Sequence, residues 1–156
     1  MPEKKLNRFL NDQKVKYVTI SHSLAYTAQE IAASAHIHGK DLAKTVIVKI
    51  DGDMAMAVLP ASLKLDPGRL KKIVGAKKVE LAAEKEFQNR FPGCALGAMP
   101  PFGNLYDMRV YADKALSEDE KIAFNAGSHT ELIQLAYKDF ERLVKPEIVT
   151  MASPEK

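Results

Sequence analysis

The feature that most constrains the fold is a pair of apolar segments on either side of a short acidic turn. Residues 45–50 and 54–59 are almost uninterrupted apolar runs, and Asp51-Gly52-Asp53 separates them. A glycine-containing turn between two such runs is typical of a β-hairpin. Because polar residues do not alternate with apolar ones inside the runs, we predict two central strands that are buried on both faces.

Shorter signals predict the elements on either side of this hairpin. Thr27 and Glu30 form a capping box ahead of a helix, and Asp66-Pro67 is a typical helix start, which Gly75 ends. In chain order, we predict a helix over 4–11, a strand over 17–20, helices over 27–38, 66–75 and 83–91, strands over 107–112, 121–125 and 132–136, and a helix over 137–145. The tail over 150–156 is expected to be loose.

The irregular order of these elements favours a single α+β domain with a mixed sheet over a regular doubly wound fold. The chain of 156 residues has the length of one domain, and no repeat or linker divides it, so we expect the domain to cover residues 1–156. No apolar run is long enough to span a membrane. One cysteine and the absence of a secretory-type apolar stretch indicate a cytoplasmic protein.

Positive charge is concentrated in one segment, although the formal net charge is only +3. Between positions 64 and 78 the sole acidic residue is Asp66. The basic residues there are Lys64, Arg69, Lys71, Lys72, Lys77 and Lys78. Such a cluster can follow a phosphate backbone, but a solvated helix face is the commoner explanation.

Most standard catalytic arrangements are absent from the sequence. Cys94 has the character of a small core residue, and no base is placed beside it. The histidines show no metal-ligand spacing such as His-x-x-x-His, so we expect neither a metal nor another cofactor. Ser128 and His129 are adjacent in the sequence, but the side chains of adjacent residues diverge, so adjacency alone does not make them a catalytic Ser-His pair.

Lys44 is the unusual polar residue, because it opens a strongly apolar strand. A buried ammonium costs several kcal/mol unless it is paired. The side chain either extends from the strand end to water or points into a cleft, where its three donors would hold an anion or a carbonyl-rich ligand. The residues alone leave both interpretations open.

Three motifs, in this order, resemble those of the YbaK family of aminoacyl-tRNA deacylases, which is related to the editing insertion of prolyl-tRNA synthetases. They are the strand AKTVIV from Ala43, the loop GAMPPFG from Gly97 to Gly103, and the segment FNAGSH from Phe124. The similarity runs from about position 6 to position 149. It implies a partly barrel-like, mixed and mostly antiparallel sheet with helices around it.

The resemblance also implies a function, namely hydrolysis in trans of the ester bond of a tRNA that carries the wrong small amino acid (Ala, Cys, Ser or Thr, with tRNA-Pro as the expected tRNA). Lys44 would orient the aminoacyl-adenosine end. The loop from Gly97 to Gly103, stiffened by Pro101, would direct backbone amides at the ester carbonyl. The residues expected around the amino acid or the terminal ribose are Phe102, Gly127, Ser128 and His129.

Such a reaction needs no side-chain nucleophile, because the ester is already activated and an ordered water can attack it. One oxyanion donor lowers the barrier by about 2.7–4 kcal/mol. The expected contacts with the tRNA acceptor stem are Lys64, Arg69, Lys71 and Lys72, and an aminoacyl-tRNA synthetase is a further candidate partner. Two alternatives are a non-catalytic module that binds tRNA or a small ligand on the same fold and a metal-dependent hydrolase.

Overall fold

The predicted hairpin forms the centre of the larger sheet. In the computed structural model, which describes residues 2–21, 41–91, 99–127 and 130–154, strand β2 (Ala43–Ile50) pairs antiparallel with β3 (Asp53–Pro60). The turn residues Asp51 and Gly52 have φ angles of 51° and 91°. Positive φ at both central residues is the requirement of the tight hairpin turn that Asp-Gly favours.

The other predicted strands and helices occur in the predicted order, and four short strands over 63–65, 79–81, 147–149 and 152–154 were not predicted. Besides the hairpin, the elements are α1 (Pro2–Asp12), β1 (Tyr17–Ser21), β4 (Leu63–Leu65), α2 (Pro67–Val74), β5 (Val79–Leu81), α3 (Glu84–Phe87), β6 (Arg109–Asp113), β7 (Lys121–Asn125), β8 (Glu131–Ala136), α4 (Tyr137–Val144), β9 (Glu147–Val149) and β10 (Ala152–Pro154). The helix predicted over 83–91 is a single α-turn followed by a 3₁₀ turn, Gln88–Arg90. The predicted helix over 27–38 lies outside the described residues.

The strands form three sheets, with the orders β5-β2-β3-β6-β9, β1-β8-β7 and β10-β4. Among the described strands, the β3–β6 and β6–β9 pairings are parallel and the others antiparallel. The single α+β domain with a mixed, mostly antiparallel sheet is therefore confirmed. The described strands make open sheets rather than a closed barrel, which corrects the barrel-like part of the expectation.

Apolar side chains pack on both faces of the β2–β3 hairpin, as its continuous apolar runs predict. One core cluster contains Ile47, Met56 and Val58, together with aromatic rings from α1, β7 and α4. The other contains Val48 and Leu59 and is covered by α2. Because the two clusters cover both faces of the hairpin, most side chains of β3 and several of β2 are removed from water. Each fully buried large apolar side chain contributes about 1.5–3 kcal/mol to stability.

Helix α2 begins and ends where the sequence predicts. The carboxylate of Asp66 accepts a hydrogen bond from the backbone N–H of Arg69 at 3.1 Å, and Pro67 occupies the first turn. At the other end, Gly75 has a φ of 70° and its N–H bonds to the carbonyl of Lys71. Both ends of the helix therefore satisfy backbone groups that would otherwise lack partners.

The C-terminal segment is ordered as far as residue 154, and the prediction of a loose tail is wrong there. Met151 is fully buried, and β10 pairs antiparallel with β4. The carboxylate of Asp113 accepts the N–H groups of Met151 and Ala152, at 2.8 and 2.9 Å. The guanidinium of Arg69 donates to the carbonyl of Ala152 at 2.7 Å. These distant partners satisfy the backbone of the segment, and local sequence gives no sign of them.

Candidate functional site

The two larger sheets meet where β2 begins. Leu42 forms a parallel bridge with Ala123 of β7, and the N–H of Ala123 donates to the carbonyl of Asp41 at 2.9 Å. Because the bridge is parallel, the segments that contain Leu42 and Ala123 run in the same direction from it. Lys44 and Asn125 therefore each lie two residues beyond it, on the face that carries Leu42 and Ala123, because side chains alternate along strands.

Lys44 is half-buried on β2 and lies directly opposite Leu59 of β3. Leu59 is fully buried in the cluster beneath α2. The stem of the lysine thus begins beside apolar surface. A cation in such a position gains more from an anionic or carbonyl ligand than it would in open water.

The segment after β7 turns sharply towards β8. The N–H of Ala126 donates to the carbonyl of Glu131 at 3.2 Å, and Gly127 has a φ of 98°. This conformation strains any residue with a side chain, which accounts for glycine at position 127. Gly127 is buried and lies two residues beyond Asn125. The junction of the two sheets therefore brings Lys44 and the 125–127 segment, two of the three motifs, to one place.

Phe102 is fully buried in the core, with ring-centre distances of 6.1, 5.4 and 5.9 Å to Phe9, Phe124 and Phe140. Its cluster lies on the face of the hairpin opposite to Leu59, so the ring does not share a face with Lys44. With no exposed surface, the ring anchors the described end of the loop in the core. That Phe102 also lines the substrate pocket stays a prediction.

Gly103 is fixed by backbone packing. A Cβ atom at this position would lie 2.3 Å from the carbonyl oxygen of Met108 and 2.6 Å from a methyl group of Val110. The carbonyl of Gly103 accepts the N–H groups of Tyr106 and Met108, both at 2.9 Å. Pro101, just before the anchored Phe102, is also buried. The described end of the glycine-proline loop is thus held rigidly.

Other candidate residues lie outside the described part of the chain. These are Gly97, Ser128 and His129 of the predicted site, and Cys94 with the remaining histidines. Within the described ranges, no group of three or more His, Cys, Asp or Glu side chains could hold a metal ion. No helix in those ranges has the length and apolarity needed to cross a membrane.

The basic cluster forms the outer face of α2 and the strand before it. Lys64, Lys71 and Lys72 are exposed, and Leu70 faces the core. Lys71 and Lys72 lie in the last turn, where positive charge stabilises a helix. Arg69 is committed to the carbonyl of Ala152. The helix face is solvated, as the commoner explanation has it, and three lysines remain accessible to a polyanion.

Lys49 is a second lysine of β2, and it lies next to two carboxylates. Lys49 contacts Glu86 closely and lies 3.4 Å from Glu80. The hydrogen bond to Glu86 raises the pKa of Lys49, and the same bond lowers the pKa of Glu86. Two carboxylates therefore compensate the charge of Lys49, which makes it a structural residue.

Asn125 belongs to the FNAGSH motif but is not among the site residues predicted from the sequence. The structure adds it to the candidate site. Its position in the fold identifies it: Asn125 lies two residues beyond the Leu42–Ala123 bridge on β7, as Lys44 does on β2. That bridge joins segments about 80 positions apart. No spacing within a single motif could have revealed it.

Comparisons with known proteins agree with the three motifs. A family model described as an aminoacyl-tRNA editing domain matches residues 22–143. The multifunctional Ser/Thr-tRNA deacylase ProXp-y of Escherichia coli (strain K12) is 32% identical over 112 residues, which are 69% of this chain and 66%, just under two thirds, of that protein. The prolyl-tRNA editing protein ProX of Acetoanaerobium sticklandii is 25% identical over 87% of this chain and 86% of its own.

A solved structure supports the fold. A crystal structure described as a candidate trans-editing enzyme for prolyl-tRNA synthetase superimposes with a TM-score of 0.81. The superposition covers 99% of this chain and 98% of that one, at 19% sequence identity. At 19% identity this likeness establishes the fold alone. Membership of the family rests on the match to the family model.

Proposed function

Because the chain belongs to the aminoacyl-tRNA editing domain family, as its three motifs predict, we propose that it hydrolyses the ester bond of a mischarged aminoacyl-tRNA in trans. The observation that carries this proposal is the meeting of β2 and β7, which sets Lys44 level with Asn125 and near Gly127. The E. coli relative is named a Ser/Thr-tRNA deacylase, and the A. sticklandii relative a prolyl-tRNA editing protein.

In the proposed reaction, a water molecule attacks the carbonyl carbon of the ester. The bond between this carbon and the ribose oxygen breaks, and the ribose oxygen takes up a proton. The products are a free amino acid and a tRNA with a free terminal hydroxyl group. The ammonium of Lys44, a residue that is half-buried on β2, holds the aminoacyl-adenosine end through its three N–H donors.

Amides of the loop from Gly97 to Gly103 stabilise the negative charge that develops on the carbonyl oxygen. Such donors are effective when they are held in place before the reaction. Phe102 is anchored in the core and Gly103 packs against the carbonyl of Met108, so the described end of the loop needs no reorganisation. Pro101 adds stiffness through its fixed φ.

Selection for a small amino acid rests in this proposal on steric exclusion. Gly127, Ser128 and His129 are the residues proposed to lie around the amino acid. A pocket of this kind accepts Ala, Cys, Ser or Thr and excludes a larger cognate residue by steric conflict. We take tRNA-Pro as the tRNA, with the acceptor stem along the exposed Lys64, Lys71 and Lys72 and a synthetase as a further partner.

The test is a deacylation panel with tRNA-Pro charged in turn with Ala, Cys, Ser and Thr. We expect hydrolysis of at least one of these esters, and a fall of about 100-fold in kcat/KM for Lys44→Ala. Lys49→Ala is the matched control, because Lys49 lies on the same strand and is paired with carboxylates. It should keep most of the activity.

Three outcomes would contradict the proposal. Hydrolysis of no ester, together with binding of tRNA, would favour the non-catalytic module. Loss of activity on adding a chelator would favour the metal-dependent hydrolase. Equal rates for Lys44→Ala and the unmodified protein would remove Lys44 from the site.

A further inference from the structure

A cavity of about 550 Å³ opens where β1 begins, beside the first residue of β7 and the start of α4. Four lysines from separate parts of the chain line it, namely Lys14, Lys16, Lys121 and Lys138. The acidic residue in its wall is Asp139, whose carboxylate accepts a hydrogen bond from Arg142 at 3.2 Å. The concave surface therefore has a strong excess of positive charge.

This excess is costly for the free protein. Within the described ranges, none of the four lysines forms an ion pair. Lys138 lies in the first turn of α4, where a positive charge is unfavourable by about 0.3–1 kcal/mol. The residue that precedes this turn, Ala136, offers no side-chain cap. An anion in the cavity would relieve the repulsion among the four ammonium groups.

Apart from Gln134, the remainder of the wall consists of apolar and aromatic residues, which distinguishes the cavity from a site for a small inorganic anion. Val18 is 57% exposed there, although it belongs to a strand. The ring of Tyr17 is half-buried beside it, and its hydroxyl donates to Asn11 at 3.2 Å. Lysines for phosphates next to apolar and aromatic surface for sugars and bases are the combination that binds a nucleic-acid strand.

The distance between the cavity and Asn125 supports an RNA strand as the ligand of the cavity. Lys121 and Asn125 lie at the two ends of β7 with their side chains on the same side of the strand, and the fully buried Ala123 lies between them, so the cavity and the candidate site are one strand length apart. The four residue steps from Lys121 to Asn125 span about 13 Å at ~3.3 Å per step. In a base-stacked helical geometry a nucleic-acid strand carries one phosphate per ~3.4 Å of rise. A stacked strand whose end occupies the site would therefore cover this distance with about four nucleotides.

We propose that the cavity formed by Lys14, Lys16, Lys121 and Lys138 binds the phosphodiester backbone of the substrate RNA about four nucleotides from its esterified end. The proposal rests on the proposed function for the location of that end. It adds a second RNA contact to the one proposed on α2. The two surfaces would hold different parts of one tRNA.

The test compares two double variants that change the net charge equally. Lys16→Glu with Lys121→Glu alters the cavity, and Lys85→Glu with Lys114→Glu alters two exposed lysines that do not line it. The fluorescence anisotropy of labelled tRNA-Pro that carries no amino acid gives the affinity over a range of salt concentrations. We expect the cavity variant to bind about tenfold more weakly than the control, with a log–log salt slope smaller by about 1.4–1.8 for two lost phosphate contacts. Lys16→Ala with Lys121→Ala should give the same trend if the charge reversal prevents folding.

A second measurement uses the alanyl ester of adenosine, which has no phosphodiester. The cavity variant should hydrolyse it at the rate of the unmodified protein, and a loss of that rate would overturn the assignment by showing that the lysines act on the chemistry. Equal effects of the two double variants on tRNA affinity and salt slope would also overturn it. If the unmodified protein cleaves no ester, the proposed function fails, and the difference in affinity still decides whether the cavity binds RNA.

Discussion

The buried carboxylate of Asp113 accepts the backbone N–H of Met151 at 2.8 Å, although the two residues are 38 positions apart. The same oxygen accepts the N–H of Ala152 at 2.9 Å, and the other oxygen accepts that of Ala115 at 3.0 Å. One side chain therefore fixes both the turn after β6 and the C-terminal strand.

Replacing this carboxylate should destabilise the whole domain. Asp113→Ala leaves three N–H groups without their acceptor, two of them in bonds that are buried, and we expect a loss of about 3 kcal/mol or more in the free energy of unfolding. Asp113→Asn keeps one acceptor oxygen and should lose less. Urea denaturation measures both changes, and hydrogen exchange should show faster exchange of the Met151 and Ala152 amides. An unchanged urea midpoint for Asp113→Ala would contradict this role.

Gly103 should not tolerate even a methyl group. Gly103→Ala would place a Cβ 2.3 Å from a backbone oxygen, so the chain must shift. We expect a loss of about 1–3 kcal/mol in stability, together with a fall in deacylation because the loop moves. Gly68→Ala in α2 is the matched control, since its Cβ would meet nothing closer than 3.4 Å. That variant should be as stable as the unmodified protein or gain up to about 1 kcal/mol. Equal thermal midpoints for the two variants would contradict the prediction.

Tyr137 should make the protein sensitive to alkaline pH. Burial, and secondarily the nearby Glu141, raise the pKa of Tyr137 from 10.0 to about 12. The folded state then keeps the phenol proton between these values while the unfolded state loses it, so stability declines as the pH rises through this window. At pH 11 the loss is about 1 kcal/mol.

Tyr137→Phe should remove this part of the alkaline decline. At neutral pH it should be neutral or slightly stabilising, because the buried hydroxyl has no hydrogen-bond partner within the described ranges. Urea unfolding at pH 8 and pH 11 measures the difference. Parallel declines in the two proteins would show that Tyr137 is not the group responsible.

The exposed lysines of α2 should contribute to tRNA affinity. Lys71→Glu with Lys72→Glu should weaken binding of tRNA-Pro and reduce the salt slope by about 0.7–0.9 for each phosphate contact that is lost. Arg69→Ala serves as a control, because its guanidinium is bound to the carbonyl of Ala152. It should lower stability more than affinity. An unchanged salt slope for the double lysine variant would exclude α2 from the RNA surface.

The central hairpin and helix α2 could be predicted because their signals are local. Continuous apolarity on both sides of Asp51-Gly52 defines two interior strands. An N-cap aspartate, a first-turn proline and a terminal glycine define the helix. In each case a few neighbouring residues settle the conformation, so the expectation was correct to within one or two residues.

The ordered tail and the burial of Phe102 could not be predicted in the same way. Residues 151–154 are held by Asp113 and Arg69, which are distant in sequence, and the polar ends of these side chains carry no signal of their partners. Phe102 stands in a loop motif that resembles a binding segment, yet three rings enclose it. Which face of a sheet a loop residue contacts depends on how the sheets meet, and that is a property of the tertiary structure.

The bridge between Leu42 and Ala123 has a consequence for how activity can arise during folding. It joins segments about 80 positions apart, and contacts of such high sequence separation form late because long loops must first close. The candidate site exists only when β2 and β7 meet, so neither strand can form it alone. A nascent or truncated chain that ends before β7 should therefore have no catalytic competence, however well its hairpin has formed.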